Sequence, residues 1–431
     1  LGKIYEEYRT STYGVGFSGL CKGNLKEVKV FLQIIITDID KTIQSNQQKS
    51  GLFETYNTIN IDADNNKIDV KAMELMLEGQ VAGLSLGLSD TNEVITIVEE
   101  MLKSPLYRKD MKSFILYPTK NTRPFLERNI ISLDLIKKSK LLTILLRDCN
   151  NSIIEKDVSE SNRFNPNIRN RFDLENILEL LQSKEQYQEL VNKEKNLLID
   201  IFEETFNHRN FTGRSGTMFS YEGIGSIYWH MVSKLLLAIQ ENFFKCRQDK
   251  DTSSKELAKL GQLYYKVKDG LSSSKSPEEY GAFPFDPYSH SPSHSGAQQP
   301  GMTGQVKEEI ITRFGELGYF VKDGCISFDN SLLQENEFLI QDKDFMFYNV
   351  LHNRIILRVK RGQLAFTICQ VPVVYTLVDG KEKIEIIFNE KSKRIHSGKI
   401  LDLDISKSIF DRTNEIKQIQ LYLNRSKLLD N

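Results

Sequence analysis

The chain has 431 residues, a formal net charge of −1, 40% apolar residues and 27% charged residues. This length predicts two or three domains. The near-neutral net charge gives the protein no overall electrostatic attraction to nucleic acid or to an anionic membrane. No apolar run reaches the roughly 18 residues of a membrane-spanning helix. The five cysteines are scattered without a C-x-x-C pair, which argues against a disulfide framework or zinc site and favours a cytoplasmic protein.

The first 270 residues are predicted to be mainly helical. The chain begins with Leu1 rather than methionine, which indicates a fragment or a processed form with an upstream part of the same polypeptide. Apolar residues recur at helical spacing from Asn24 to Ile43. The order of helix, short loop, helix and longer loop then repeats, as it does in stacked helical hairpins.

A short β-hairpin and a helix rich in small residues follow. Two apolar segments on either side of D-A-D-N-N predict the hairpin. In the next helix, residues 73–88, Gly79 and Gly83 predict the close approach of another helix, and Glu78 is a candidate substrate contact. Asp90 is predicted to cap the helix after it.

The segment 211–240 combines a loop rich in glycine and hydroxyl groups with a predicted helix. Arg214, Ser215 and Thr217 precede the helix N-terminus, where free N–H groups and an arginine suit an anion or a sugar hydroxyl. The structural alternative is a salt bridge for Arg214 and a helix-dipole role for Glu222. The helix and its start supply further candidates: Tyr221, Glu222, Trp229 and His230.

The segment 283–318 is predicted to be an ordered functional loop followed by a helix. Four prolines and three glycines exclude regular structure from its first half, but its aromatic and hydrogen-bonding side chains are not those of a flexible linker. A proline-rich strap between domains is the structural alternative. In the helix, Val306, Ile310, Phe314 and Leu317 are predicted to face inward, and Glu309 is predicted to pair with Arg313. The candidates here are Asp286, Tyr288, His290, His294, Gln298, Gln299, Gln305 and Glu308.

After Gly318 the apolar period changes to two, and eight short strands are predicted. Such a series suggests an antiparallel β-sandwich, in which Pro372 must lie at an edge or a bulge. The predicted class is therefore α+β and multidomain. Its parts are a helical domain (1–270), a loop and helix that complete the cleft (271–318) and a β-sandwich domain (319–431).

Three motifs carry a resemblance to known proteins: residues 213–235, Asp286-Pro-Tyr-Ser-His and residues 296–308. With these motifs the chain resembles the C-terminal half of large uncharacterised bacterial proteins. Their layout is similar to that of helical-toroid carbohydrate-active enzymes such as the cellobiose phosphorylase-like group. The resemblance implies an α/α toroid of helical hairpins that carries the site, with a β-sandwich beside it.

The leading functional hypothesis is a carbohydrate-active enzyme domain, either a glycoside hydrolase or a glycoside phosphorylase. A hydrolase uses an acid and usually a second carboxylate, whereas a phosphorylase needs one acid because phosphate supplies the attacking oxygen. No cofactor is expected, and inorganic phosphate is a possible co-substrate. The candidate acids are Asp286, Glu222 and Glu308. The candidate phosphate contacts are Arg214, Ser215, Thr217, His290 and His294.

Two other functional classes stay open. One is a non-catalytic glycan-binding or interaction module with catalysis upstream in the same polypeptide. The other is a metal enzyme using His290 and His294, although Pro292 interrupts the helical spacing that H-E-x-x-H requires. The expected partner is a saccharide, without a bound metal, nucleic acid or membrane insertion.

Overall fold

A computed structural model describes residues 2–16, 22–62, 67–73, 75–87, 89–116, 118, 127, 129–168, 170–206, 227, 229–271, 275–276, 279, 306–396 and 398–429. The chain divides into two compact units, Leu1–Gln48 and Lys49–Asn431. The first holds α1 (Gly2–Thr10), a π-helical turn (Ser11–Val15) and α2 (Leu25–Ser45). The predicted α2 is confirmed and is capped by the Asn24 side chain. No residue of α2 is buried.

The second unit starts with the predicted hairpin, β1 (Asn57–Asp62) and β2 (Lys67–Ala72), followed by α3 (Leu77–Ser85) and α4 (Thr91–Lys103). Asp90 caps α4, as predicted, in a reciprocal capping box with Glu93. The close approach to the glycines of α3 comes from the extended segment before the hairpin. A Cβ at Gly83 would lie 2.4 Å from the Phe53 ring, and one at Gly79 would lie 2.2 Å from Thr55 Oγ1.

We expect Gly83→Ala to lower the free energy of unfolding by about 2 kcal/mol, because the added methyl overpacks the core against the Phe53 ring. In an open helical position the same change would be stabilising. Chemical denaturation measures the effect, with Ser85→Ala at an exposed position of the same helix as the control. A Gly83→Ala variant as stable as the control would contradict the close contact.

A separate helical core follows. After β3 (Tyr107–Arg108) and β4 (Ser113–Phe114), it is formed by α5 (Leu133–Lys138), α6 (Lys140–Arg147), β5 (Ile154–Lys156), β6 (Asn162–Phe164), α7 (Arg171–Gln182) and α8 (Glu185–Phe206). The hydrophobic cluster of these elements runs from Ile131 to Phe202. Every described member of the cluster comes from this one stretch of sequence, which is typical of a locally folded subdomain.

Three further helices pack on α3 and α4 or on one another: α9 (Trp229–Gln248), α10 (Ser254–Asp269) and α11 (Val306–Leu317). The helices α9 and α11 approach closely, because a Cβ at Gly315 would lie 2.2 Å from Gln240 Oε1. On the α3 side, Asn242 Nδ2 of α9 donates to Leu84 O at 2.8 Å. Within the described ranges, no helix is long and apolar enough to cross a membrane.

The C-terminal part consists of short strands and one helix. Two hairpins, β7 (Tyr319–Lys322) with β8 (Cys325–Phe328) and β9 (Lys343–Tyr348) with β10 (Arg354–Val359), precede a five-stranded sheet. The sheet has the order β11-β12-β15-β13-β14. Its members are β11 (Gln363–Ile368), β12 (Val371–Val378), β13 (Lys383–Phe388), β14 (Lys393–His396) and β15 (Ile416–Asn424), with α12 (Leu403–Phe410) before β15.

The predicted fold class was wrong in both of its architectural parts. The described residues show no β-sandwich, because the strands form two-stranded hairpins and one five-stranded sheet. That sheet is mixed, since β12 and β15 are parallel, and α12 contributes buried side chains to its core. The described helices also show no toroid of hairpins. Instead, α5–α8 enclose their own core, while α3, α4, α9, α10 and α11 form a second group.

Pro372 lies in an inner strand rather than at the predicted edge or bulge. It pairs with Thr367 of β11, and the pairing of β12 with β15 begins one residue later, at Val373. Proline is tolerated here because only one neighbouring strand pairs at its position.

Candidate functional site

Most of the predicted site residues lie outside the described residues. These are Asp286, Glu222, Arg214, Ser215, Thr217, Tyr221, Tyr288, His290, His294, Gln298, Gln299 and Gln305. The structure does place Glu308, Glu78 and His230, and it places Trp229 as the first residue of α9. The geometry of the site is therefore built from α11 and its neighbours.

Glu308 lies in the first turn of α11 and is only 8% exposed. Its Oε2 atom is buried and has no hydrogen-bond partner within the part of the chain that the structure describes. A buried carboxylate oxygen without a donor costs free energy, so this position is not explained by stability. Among the described candidates, Glu308 is the one with a buried carboxyl oxygen that has no partner in the described part of the chain.

The buried face of α11 is mainly polar, which overturns the prediction for two residues, although Leu317 is buried as predicted. Glu308, Thr312 and Glu316 follow at one-turn spacing and are all buried. Ile310 and Phe314, which were predicted to face inward, are 50% and 46% exposed. Two of the three side chains have partners on this face: the Thr312 hydroxyl donates to the Glu309 backbone oxygen within the helix, and α10 supplies partners for Glu316.

Gln240 and Tyr264 are the central partners of this face. Gln240 Nε2 donates to Thr312 O at 2.7 Å and to the Tyr264 hydroxyl at 3.2 Å. The Tyr264 hydroxyl in turn donates to Glu316 Oε1 at 2.7 Å. Burial, together with the Glu316 charge, raises the pKa of Tyr264 well above its ordinary value. The phenol therefore stays protonated and acts as a donor.

Glu316 is also paired with two cations. Its carboxylate oxygens lie 2.8 Å from Lys268 Nζ and 2.8 Å from an Arg313 guanidinium nitrogen. Arg313 bridges onward to Glu337, and this replaces the predicted pair with Glu309. Glu309 is instead half-buried, and burial raises its pKa against the opposing charge of Lys268. The network ties α10, α11 and the 3-10 turn Glu335–Glu337 together.

The other two described candidates lie on α3 and α9. Glu78 is half-buried, and the Tyr56 hydroxyl donates to its Oε2 at 3.5 Å. His230 is half-buried in the first turn of α9, and its backbone carbonyl accepts from Ser233 Oγ at 3.0 Å. Across the ranges that the structure describes, no cluster of three metal-ligating side chains occurs.

The sequence interpretation missed Gln240, Tyr264 and Glu316. The signal that could have found them is the spacing of Glu308, Thr312 and Glu316, a polar stripe one turn apart on a helix. That stripe was not taken as the buried face, because Ile310 and Phe314 of the same helix were predicted to face inward.

Comparison with known proteins gives one family match. The model described as GH149 phosphorylase insertion domain 2 matches residues 122–209, which is about a fifth of the 431 residues. No curated protein matches the chain. The matched segment contains the whole hydrophobic cluster from Ile131 to Phe202, so the boundaries of the family match and those of the separate core agree. The match supports a glycoside phosphorylase-like relationship for this chain.

Proposed function

We propose that this chain is the C-terminal part of a glycoside phosphorylase-like enzyme that transfers a glycosyl group between a saccharide and inorganic phosphate. The match of residues 122–209 to a phosphorylase insertion domain carries this proposal. An insertion domain is an addition to a larger enzyme, so the catalytic groups are sought elsewhere in the chain.

The proposed reaction needs one carboxylic acid. In phosphorolysis an oxygen of phosphate bonds to the anomeric carbon, the glycosidic bond breaks, and the departing oxygen takes a proton from the acid. The products are a sugar 1-phosphate and a saccharide shortened by one unit. The proposed acids are Asp286, Glu222 and Glu308. Of these, Glu308 has support from geometry, since its carboxyl group is buried and Oε2 has no partner among the described residues.

The remaining proposed residues divide between phosphate and sugar. Arginine binds phosphate in a bidentate manner, and hydroxyl and imidazole groups add further donors; the proposed set is Arg214, Ser215, Thr217, His290 and His294. Aromatic rings cover the C–H faces of a sugar, while amide, imidazole and carboxylate groups bind its hydroxyls. The proposed sugar contacts are Tyr221, Trp229, His230, Tyr288, Gln298, Gln299, Gln305 and Glu78.

The test is phosphate release from a panel of α- and β-sugar 1-phosphates in the presence of mono- and disaccharide acceptors. We expect turnover by the protein and at least a hundredfold loss in Glu308→Gln, the size expected for removing a general acid. Glu309→Gln, at the adjacent half-buried position, is the matched control and should keep its activity. Asp286→Asn and Glu222→Gln are assayed in parallel, and thermal unfolding checks that each variant is folded.

The outcomes separate the functional classes. Cleavage of a saccharide without phosphate would favour a hydrolase. Full activity in Glu308→Gln with loss in Asp286→Asn would assign the acid to Asp286. No turnover with any donor and acceptor, in folded protein, would contradict the enzyme proposal and favour a glycan-binding or interaction module.

A further inference from the structure

A small cleft on the C-terminal part is lined by an unusual number of carboxamide side chains. It has a volume of about 140 Å³ and is formed by β9, β10, β12, β15 and adjoining turns. Its polar lining is Asn349, Gln370, Asn389, Asn414, Gln418 and Lys417, and its apolar lining is Phe347, Val350, Ile355, Leu357, Pro372 and Ile416. No acidic side chain lines it and Lys417 is the one charged residue of its lining, so neutral amides supply most of its hydrogen-bonding groups.

Two of the carboxamides are fixed at the turn after β9. Asn349 Oδ1 accepts from the backbone N–H groups of Leu351 at 3.1 Å and Asn353 at 2.9 Å. Gln370 Nε2 donates to the backbone oxygen of Asn349 at 3.1 Å. Each side chain is therefore held through one end of its amide group. The other end makes no hydrogen bond to the described residues.

The other three carboxamides are fixed in the same one-ended manner. Asn389 Nδ2 donates to the backbone oxygen of Asn414 and, at 3.3 Å, to its Oδ1. Gln418 Nε2 donates to Gln420 Oε1 at 2.9 Å. The side-chain nitrogens of Asn389 and Gln418 and the side-chain oxygen of Asn414 are therefore already hydrogen-bonded.

The opposite ends of the five amides form a mixed set of donors and acceptors. Three oxygens (Gln370 Oε1, Asn389 Oδ1 and Gln418 Oε1) and two NH₂ groups (Asn349 Nδ2 and Asn414 Nδ2) have no hydrogen-bond partner among the described residues. A neutral hydroxyl both donates and accepts, so it is satisfied by such a set, whereas an anion needs donors only. Anchored side chains also lose little rotamer freedom when a ligand binds.

We propose that this cleft binds one unit of an uncharged saccharide. The amides bind the sugar hydroxyls, and the apolar lining around Phe347 contacts the C–H groups of the ring. The volume of about 140 Å³ equals roughly five waters at about 30 Å³ each. This is room for a single ring, with the rest of a longer chain in solvent. The inference goes beyond the proposed phosphorolysis, because the cleft contains no group for glycosyl transfer and would hold the saccharide without cleaving it.

The test follows the side-chain NH₂ signals of Asn349 and Asn414 by NMR in the full chain labelled with ¹⁵N-asparagine. The probes are glucose, galactose, mannose and their neutral disaccharides, with glucuronate and inorganic phosphate as charged comparisons. We expect a neutral sugar to shift both signals, and the affinity to fall at least tenfold in Gln418→Met and in Gln370→Met, each of which removes one acceptor. Gln188→Met, at an exposed position of α8, should bind as the unaltered protein does.

Three results would overturn the inference: no neutral sugar shifts these signals, both methionine variants bind as tightly as the control, or glucuronate or phosphate binds better than the neutral sugars. The variants must unfold at the same temperature as the control for the comparison to hold. The two proposals fail separately. Amide shifts without turnover would contradict only the phosphorylase proposal, and turnover without amide shifts would contradict only the cleft.

Discussion

Replacing Glu316 with alanine should lower the free energy of unfolding by about 2–3 kcal/mol, because the buried Tyr264 hydroxyl loses a charged acceptor while the two paired cations are partly exposed. Glu316 is 1% exposed. It accepts from the Tyr264 hydroxyl and pairs with Lys268 and Arg313. Its loss leaves two cations and a buried phenol without their shared acceptor. Urea denaturation followed by circular dichroism measures the change.

Two variants control this experiment. Glu309→Ala truncates a half-buried glutamate of the same helix and should cost less than 1 kcal/mol, as for a partly solvated side chain. Glu316→Gln keeps the shape and the hydrogen bonds to one oxygen, so it should fall between the two alanine variants. The network is contradicted as a stabilising element if Glu316→Ala and Glu309→Ala are equally stable.

The same carboxylate should make stability depend on pH. Burial raises the pKa of Glu316, but Lys268, Tyr264 and Arg313 outweigh burial and hold the pKa below its ordinary value. A group with a lowered folded pKa stabilises the protein above its unfolded pKa, and this contribution is lost as the pH falls through the folded value. The stability gap between the unaltered protein and Glu316→Gln should therefore be full near pH 7 and shrink below about pH 4.5. A gap that is constant with pH would show that the charge of Glu316 does not contribute.

Local signals in the sequence predicted the elements better than their arrangement. The Asp90 cap, the β1–β2 hairpin and α2 depend on a few neighbouring residues, and all three predictions are confirmed. The sandwich prediction failed because strand pairing is non-local. The parallel pair β12–β15 joins Val373 to Ile419 across the hairpin β13–β14, and no period-two pattern specifies which strands meet. Apolar residues also continue through residues 364–376, which favours a single strand, whereas Cys369 and Gln370, both with positive φ, turn the chain between β11 and β12.

At the candidate site, too, the contacts between elements were harder to predict than the elements themselves. Small residues at Gly79 and Gly83 predicted a close approach correctly, but the approaching group, Phe53 with Thr55, belongs to an extended segment rather than a helix. Helix α11 has an apolar face and a polar face, and its sequence alone favours burial of the apolar residues Ile310 and Phe314. Burial of this face involves residues distant in sequence: Gln240 donates to the Thr312 backbone oxygen and Tyr264 donates to Glu316, from 72 and 52 residues away. Glu308 was nevertheless named among the candidate acids of this segment.

The matched segment 122–209 should unfold locally, independently of the rest of the chain, when its buried Glu194 is replaced. Glu194 of α8 is 6% exposed and binds the N-terminus of α6. Its carboxylate accepts from Ser139 Oγ at 2.7 Å and from the backbone N–H groups of Lys140 at 3.2 Å and Leu141 at 3.0 Å. Unpaired N–H groups and the positive end of the helix dipole make this position favourable for an anion.

We expect Glu194→Ala to lower the stability of this segment by about 3–5 kcal/mol, because the buried Ser139 hydroxyl and Leu141 N–H lose a charged acceptor at the same time. Hydrogen–deuterium exchange with mass spectrometry should show faster exchange in α5–α8 and little change in the C-terminal sheet, since the cluster from Ile131 to Phe202 draws only on this segment. Glu189→Ala, at an exposed position of α8, should leave exchange unchanged. Faster exchange spread equally over α9, α10 and the sheet would contradict an independent core, and the family match would then mark a sequence relationship without a separate folding unit.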